Sequence, residues 1–163
     1  MAILEPEQPS DAGPVRLGSG MWLDTGRPEV PGALALTWIE APSEEERAEV
    51  DELADRVVEE LLQEPGFLSL ASITAGRRQY TITSWVGPES VRSLRRQAPH
   101  QQAVRRVFRR GGLGLSVMTS VWVPWRVEGI LSRCPACGAM ARTGGPAPAC
   151  RCGQALPTTA PYL

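Results

Sequence analysis

Apolar and polar positions first fall into a regular pattern at Ala33–Glu40, where Leu34, Leu36 and Trp38 lie on one side and Ala35, Thr37 and Ile39 on the other. A period of two predicts a strand. From Ser43 the period lengthens: Val50, Leu53, Ala54, Val57, Val58, Leu61 and Leu62 recur three and four residues apart, the single apolar stripe of an amphipathic helix. Ser43 and Glu46 stand at capping-box spacing, in which each side chain accepts from the other's backbone N–H. Pro65-Gly66 predicts the stop, proline because it cannot continue the hydrogen-bond ladder and glycine as a left-handed cap.

Residues 67–74 and 80–86 predict two more strands, joined by a hairpin at Ala75-Gly76-Arg77-Arg78-Gln79. Beyond Gly87-Pro88, Val91, Leu94 and Ala98 keep helical spacing, but Val104, Val107 and Phe108 are out of phase with them. Pro99 lacks an N–H and disfavours a helical residue before it, so two helical pieces are expected. Gly111-Gly112 closes the second, and residues 113–127 predict a long last strand with Trp122 and Trp125 near its end. Strand, helix, strand, strand, helix, strand is the ferredoxin-like βαββαβ order of an α+β protein, two antiparallel helices over one face of a four-stranded antiparallel sheet. Residues 1–32, rich in Pro and Gly, read as an extended arm lying on that domain. Within the arm, the cluster Met21-Trp22-Leu23 leaves a second role open, with Trp22 sealing a pocket or a subunit seam.

The four cysteines form a separate pattern. Cys134-Pro-Ala-Cys137-Gly has knuckle spacing: two thiolates two residues apart reach one ion, and Gly138 lets the turn close with backbone amides near the sulfurs. Cys150-Arg-Cys152-Gly follows a Gly/Pro-rich loop with its pair one residue closer. The arrangement resembles a zinc ribbon. With no cysteine left over, Cys134, Cys137, Cys150 and Cys152 make a closed four-thiolate set that suits zinc better than oxygen-liganded metals. Such a site has no open position for water, so the zinc is expected to be structural. A piece of about 30 residues is too small to be stabilised by apolar burial alone, and metal is the natural source of its folding energy. An iron centre, or disulfides in an oxidising compartment, are the competing readings.

The stretch Tyr-Thr-Ile-Thr-Ser-Trp-Val-Gly-Pro-Glu-Ser-Val-Arg-Ser-Leu-Arg-Arg-Gln-Ala-Pro-His, from Tyr80 to His100, is a strand ending in Trp, a short turn, and a helix leading to Pro-His. Together with the element order from Ala33 to Val127, it resembles the antibiotic-biosynthesis-monooxygenase-like branch of the dimeric α+β barrel proteins. The resemblance implies a homodimer in which two sheets face each other and enclose a pocket. It also implies kinship with small oxygenases that oxidise aromatic polyketides without metal or flavin. Carried onto this chain, it implies a small aromatic ligand, with Trp85 lining the cavity and His100 accepting a substrate proton. Trp38 and Arg77 are further candidates for stacking or for holding a phenolate. On residue grounds alone, His100 is the single histidine and stands where a helix starts, whose positive end favours neutral imidazole. The same place suits a packing or capping residue, and a strand-end Trp85 suits a core. Haem-degrading relatives carry a polar residue on the first strand, an aromatic in the second helix and a histidine farther along it. Here the first strand has no Asn or His, Leu94 takes the approximate aromatic place and His100 is displaced, which leaves haem as a secondary expectation.

Charge is divided between the two helical regions. Residues 43–64 carry ten acidic side chains, and residues 91–110 carry seven arginines: Arg92, Arg95, Arg96, Arg105, Arg106, Arg109 and Arg110. Antiparallel helices can offset such charge, each exposed pair contributing about 0–1 kcal/mol. Arginines projecting away from the acidic helix would instead form an anion or nucleic-acid surface. A net charge of -1 argues against a molecule that binds nucleic acid or membranes as a whole. All 17 basic residues are arginine, which leaves a Schiff-base lysine mechanism without its residue. The absence of an apolar run of about 18 residues and of a basic-then-apolar N-terminus predicts a soluble, cytoplasmic protein. The chain divides into an arm (1–32), a ferredoxin-like barrel domain (33–130), a zinc ribbon (131–157) and a tail (158–163). A monooxygenase-like protein that oxidises or binds a small aromatic metabolite is the leading expectation. A nonenzymatic module, contacting protein or nucleic acid through ribbon and arginine helix, is the alternative.

Overall fold

The computed structural model describes residues 20–27, 29–94, 96, 98–126, 129–143 and 147–156. Residues 1–19 of the expected arm, Arg95, Val127 and the tail lie outside the described residues. In chain order the elements are β1 (Gly20–Asp24), β2 (Ala33–Glu40), α1 (Glu44–Leu61), β3 (Phe67–Ala75), β4 (Arg78–Trp85), α2 (Pro88–Leu94), α3 (Ala98–Phe108), β5 (Ser116–Trp122), β6 (Leu131–Arg133) and β7 (Met140–Arg142). The main sheet runs β1-β3-β4-β2-β5, and every neighbouring pair is antiparallel. Its last four strands, with the intervening helices, realise the expected ferredoxin-like order.

The fifth strand is an addition to that expectation. Gly20–Asp24 pairs with β3, Met21 opposite Ser72 and Leu23 opposite Leu70. The apolar cluster supplies the reason, because Leu23 packs against the core while alternation sends Trp22 to the other face. Gly20 passes so close to β3 that a Cβ would sit 2.6 Å from the Ser72 carbonyl oxygen.

Register assigns the two faces. Trp85, Thr83, Thr81 and Gln79 of β4 stand beside Ala33, Ala35, Thr37 and Ile39 of β2, and all point toward the helices. Leu34, Leu36 and Trp38 of β2, Tyr80 and Ile82 of β4, Ile73 of β3, and Met118 and Trp122 of β5 point to the opposite face. The core lies at one end of the helix-covered face. Ala33, Leu61, Phe67, Leu70, Trp85 and Val91 form it, flanked by Val57, Val58 and Leu94. Phe67 and Trp85 meet edge to face, with centroids 5.5 Å apart and planes at 69°, a favoured quadrupole arrangement.

At the start of α1, Ser43 Oγ accepts from the Glu46 N–H at 3.2 Å. The reciprocal arm of the box is diverted: Glu46 Oε2 accepts from the Gly114 N–H at 2.8 Å, fastening the helix start to the segment before β5. Gly66 is needed for a different reason than expected. It is not left-handed, but a Cβ there would fall 2.2 Å from Ser90 Oγ, so close packing of α2 requires glycine. The β3–β4 hairpin is a two-residue turn with Gly76 at φ 59 in its first position, as a type II′ turn demands. The second helical region is divided as expected, but α2 ends at Leu94 and α3 begins at Ala98, so Pro99 is the second residue of α3, where its missing N–H leaves no bond unmade. β5 is shorter than residues 113–127, because Gly114 adopts φ 77 and redirects the backbone before it.

The C-terminal piece is built on the β6–β7 hairpin, and its small core contains Cys134, Cys150 and Leu156 with Ala139 and Ala141 against them. No helix among the described residues is long and apolar enough to cross a membrane.

Candidate metal centre and ligand-binding surfaces

The four cysteines converge. Their sulfurs all lie within 4.8 Å of one another, with Cys134 Sγ–Cys152 Sγ and Cys137 Sγ–Cys150 Sγ each at 3.6 Å. A tetrahedral ion with metal–sulfur bonds of about 2.3 Å separates its ligands by about 3.8 Å, so this donor set fits one zinc ion. The backbone makes the convergence. The Gly138 N–H bonds the Cys134 carbonyl at 2.9 Å, and the Gly153 N–H bonds the Cys150 carbonyl at 2.8 Å. Gly138 at φ 71 and Gly153 at φ 87 take the left-handed conformation that lets each turn fold under its sulfurs. The tighter Cys-Arg-Cys spacing thus closes as well as the Cys-Pro-Ala-Cys one.

Electrostatics distinguishes the thiols. Backbone amides of Cys137 and Ala136 aimed at the sulfur hold Cys134 down at about 7, as a thiolate ligand needs. At Cys152 the Gln154 amide lowers the pKa, but the neighbouring Cys137, Cys134 and Cys150 thiols outweigh it and push the value up to about 11. Four sulfurs this close cannot all ionise without a cation among them.

The residues expected to line a pocket are dispersed. Trp85 is 0% exposed; its Nε1–H donates to Thr83 Oγ1 at 2.8 Å. Trp38 lies on the helix-free face with the Arg78 guanidinium 4.4 Å from its ring centroid. Arg77, at the hairpin, pairs with Glu40 Oε1 at 2.9 Å, while Arg78 bonds the other oxygen at 3.2 Å. His100 is on α3, with its Nδ1 buried, and it borders a hollow of about 330 Å³ with Gln101, Val104 and Arg105.

The structure also aligns hydroxyls that the sequence reading passed over. Ser72, Thr81, Thr37 and Thr119 are register partners across β3, β4, β2 and β5, and all point to the helix-covered side. Thr37 and Thr119 stand with their Oγ1 atoms 3.2 Å apart. Thr119 is exposed on the edge strand, so the row opens to solvent there. The signal available was threonine at alternating positions in what read as ordinary strands.

No family-level sequence profile matches the chain, and no curated protein sequence matches it. Solved structures do. Rv0793 of Mycobacterium tuberculosis aligns with a TM-score of 0.50 at 16% identity, over 58% of this chain and 96% of that one. An uncharacterised ferredoxin-fold protein of Listeria monocytogenes, related to antibiotic biosynthesis monooxygenases, gives 0.50 at 12% identity over 68% and 64%. A candidate monooxygenase of Fusobacterium nucleatum gives 0.51 at 15% identity over 80% and 52%. The chain spans less than two thirds of the latter two proteins. At these identities the likeness is one of fold: the chain has the ferredoxin-like α+β fold also found in structures related to antibiotic biosynthesis monooxygenases.

Proposed function

We propose that this protein is a monooxygenase-like barrel that binds or oxidises a small aromatic metabolite in a pocket closed by a second copy of itself, and that its ribbon carries one structural zinc. The observation that carries the reading is the helix-free face of the sheet. Leu34, Leu36, Ile73, Ile82 and Met118 share it with Trp38, Tyr80 and Trp122, and helices cover only the other face. Trp122 is 61% exposed and Trp22, on the same face of the edge strand, 63%. A contiguous apolar surface of this kind marks an association site, and a second sheet is the self-complementary cover that two-fold pairing supplies. The pocket between the sheets would hold an aromatic ring against Trp38 and the aliphatic side chains.

His100, on α3 and so on the helix side of the sheet, is the candidate proton acceptor for a ligand seated in the hollow it borders with Gln101, Val104 and Arg105, not for one held between the two sheets. It is the third residue of α3. A neutral ring can take a phenolic proton, leaving an electron-rich anion for reaction with oxygen. Zinc at Cys134, Cys137, Cys150 and Cys152 would supply cross-linking of the ribbon and no reaction chemistry, since four thiolates complete its shell.

Native mass spectrometry with metal analysis, followed by oxygen uptake with electron-rich phenols, tests the reading. A dimer with one zinc per chain, and turnover lost in His100→Ala, is expected. A monomer, or turnover unchanged in His100→Ala, would sink the dimer pocket or the base respectively. A Soret band on haem titration would redirect the assignment to a haem-binding barrel.

The dispersal of Trp85, Trp38, Arg77 and His100 favours a second reading, a nonenzymatic module that contacts protein or nucleic acid through the ribbon and α3. Retained function in a Trp85→Phe, His100→Ala double variant, with loss on mutation of the ribbon, would select it.

A further inference from the structure

Between α1 and α3 lies a groove of about 310 Å³ whose charged lining is Glu49, Glu52, Arg56, Arg105, Arg106 and Arg109. Both carboxylates are already engaged. Glu49 takes Arg106 in a two-pronged bond, Nε at 2.5 Å and NH2 at 2.8 Å, and Glu52 pairs with Arg56 one turn along α1. Arg105 and Arg109 have no carboxylate partner among the described residues. Four arginines against two glutamates leave the groove with a surplus of two positive charges.

The surplus is organised. Arg105 and Arg109 are four residues apart on one helix, so their side chains stand one above the other on the same face. Gln102, one turn earlier, adds an uncharged amide to that face. Guanidinium forks present paired N–H donors at the spacing of oxyanion oxygens, and two such forks can close on one tetrahedral anion. The Glu49–Arg106 pair, fixed between the helices, holds α3 at the distance that keeps the groove open.

We propose that this groove binds a phosphate group, free or as the monoester of a small molecule, through Arg105 and Arg109 with Gln102 beside them. The surroundings argue against a nucleic acid as the occupant. The α1 wall carries nine acidic side chains (Glu44, Glu45, Glu46, Glu49, Asp51, Glu52, Asp55, Glu59 and Glu60) against two arginines (Arg47 and Arg56). A polyanion following the groove would run along that wall within a screening length of about 10 Å, whereas a single phosphate at the arginine pair meets, of the α1 carboxylates, only Glu49 and Glu52, each already paired with an arginine.

The test is calorimetric titration of the full-length, zinc-loaded protein with inorganic phosphate and with phenyl phosphate, at constant ionic strength set by chloride. Saturable binding of at least one probe is expected, weakened about tenfold or more in Arg105→Gln/Arg109→Gln. It should be unchanged in Arg92→Gln/Arg110→Gln, which removes an equal charge outside the groove. Equal affinity for the two probes assigns the free ion, and tighter phenyl phosphate assigns the ester. Absence of saturable binding by either probe overturns the proposal, as does binding that the double variant leaves intact. So does a single-stranded oligonucleotide that binds through the same arginines more tightly than phenyl phosphate. Circular dichroism of the variants, which alter exposed side chains only, verifies that the fold is retained.

Discussion

Replacing Trp85 separates a core residue from a pocket residue, because the two roles predict opposite outcomes. Trp85 is fully enclosed, packed edge to face on Phe67 at 5.5 Å, and its Nε1–H is satisfied by Thr83 Oγ1 at 2.8 Å. Trp85→Phe keeps an aromatic ring and removes the indole's second ring and its donor. The lost hydrogen bond costs about 1 kcal/mol, and the unfilled space adds about as much again, since removing one buried methylene already costs about 0.5–1.5 kcal/mol. The variant should therefore be less stable by about 2 kcal/mol, and Trp85→Ala by about 3–5 kcal/mol. Urea unfolding followed by circular dichroism reads this directly, with a lower midpoint and an unchanged slope. Affinity for an aromatic ligand should stay unchanged in the Phe variant at temperatures where it is folded. A midpoint that does not move, together with lost ligand binding, would refute the core assignment and return Trp85 to a binding surface.

Leu36→Asp places a charge in the middle of the helix-free face, and sedimentation analysis should show a monomer for the variant and a dimer for the unaltered protein. Cys150→Ser removes one of four ligands; zinc measured after gel filtration should fall from one per chain to none. Acidification of the unaltered protein should release the ion, because protons compete for thiolates. Ser43→Ala deletes the N-cap acceptor of α1 and should lower stability by about 1 kcal/mol in thermal unfolding, with no change in zinc content. Gly114→Ala forces a side chain into a φ 77 position with its Cβ 2.8 Å from Ile39 Cγ1. It should destabilise by about 1–3 kcal/mol, visible as a lower urea midpoint.

The architecture was legible where local pattern and tertiary role coincide. The α1 stripe, the hairpin at Gly76 and the division of the second helical region are each set by neighbours within a few residues, and the cysteine spacing declares its convergence in the same way. What stayed hidden depends on distant partners. Gly20–Asp24 becomes a strand only because β3 offers a free edge, and a five-residue cluster gives no hint of that. Glu46 satisfies the capping-box pattern yet spends its carboxylate on Gly114, 68 residues away. The hydroxyl row is likewise invisible along the chain, since Ser72, Thr81, Thr37 and Thr119 align only after four strands find their register. The charge division between helices was plain, and among the described residues its interhelical ion pair is Arg106–Glu49.

That single pair bears on how the helical layer moves. α3 has no buried residue, and Phe108 on it is 71% exposed, so little apolar surface anchors it. The sheet under one end of the layer is dry, closed by Trp85, Phe67 and Leu61, whereas the row ending at Thr119 is open to water. Such a gradient gives the molecule a stiff end and a compliant end. In amide hydrogen exchange, β3 and β4 near Trp85 should exchange only on global unfolding, while α3 exchanges through a smaller opening governed by the Arg106–Glu49 contact. His100 and the Arg105–Arg109 pair thus ride on a helix with no buried residue to anchor it, and should share its exchange behaviour.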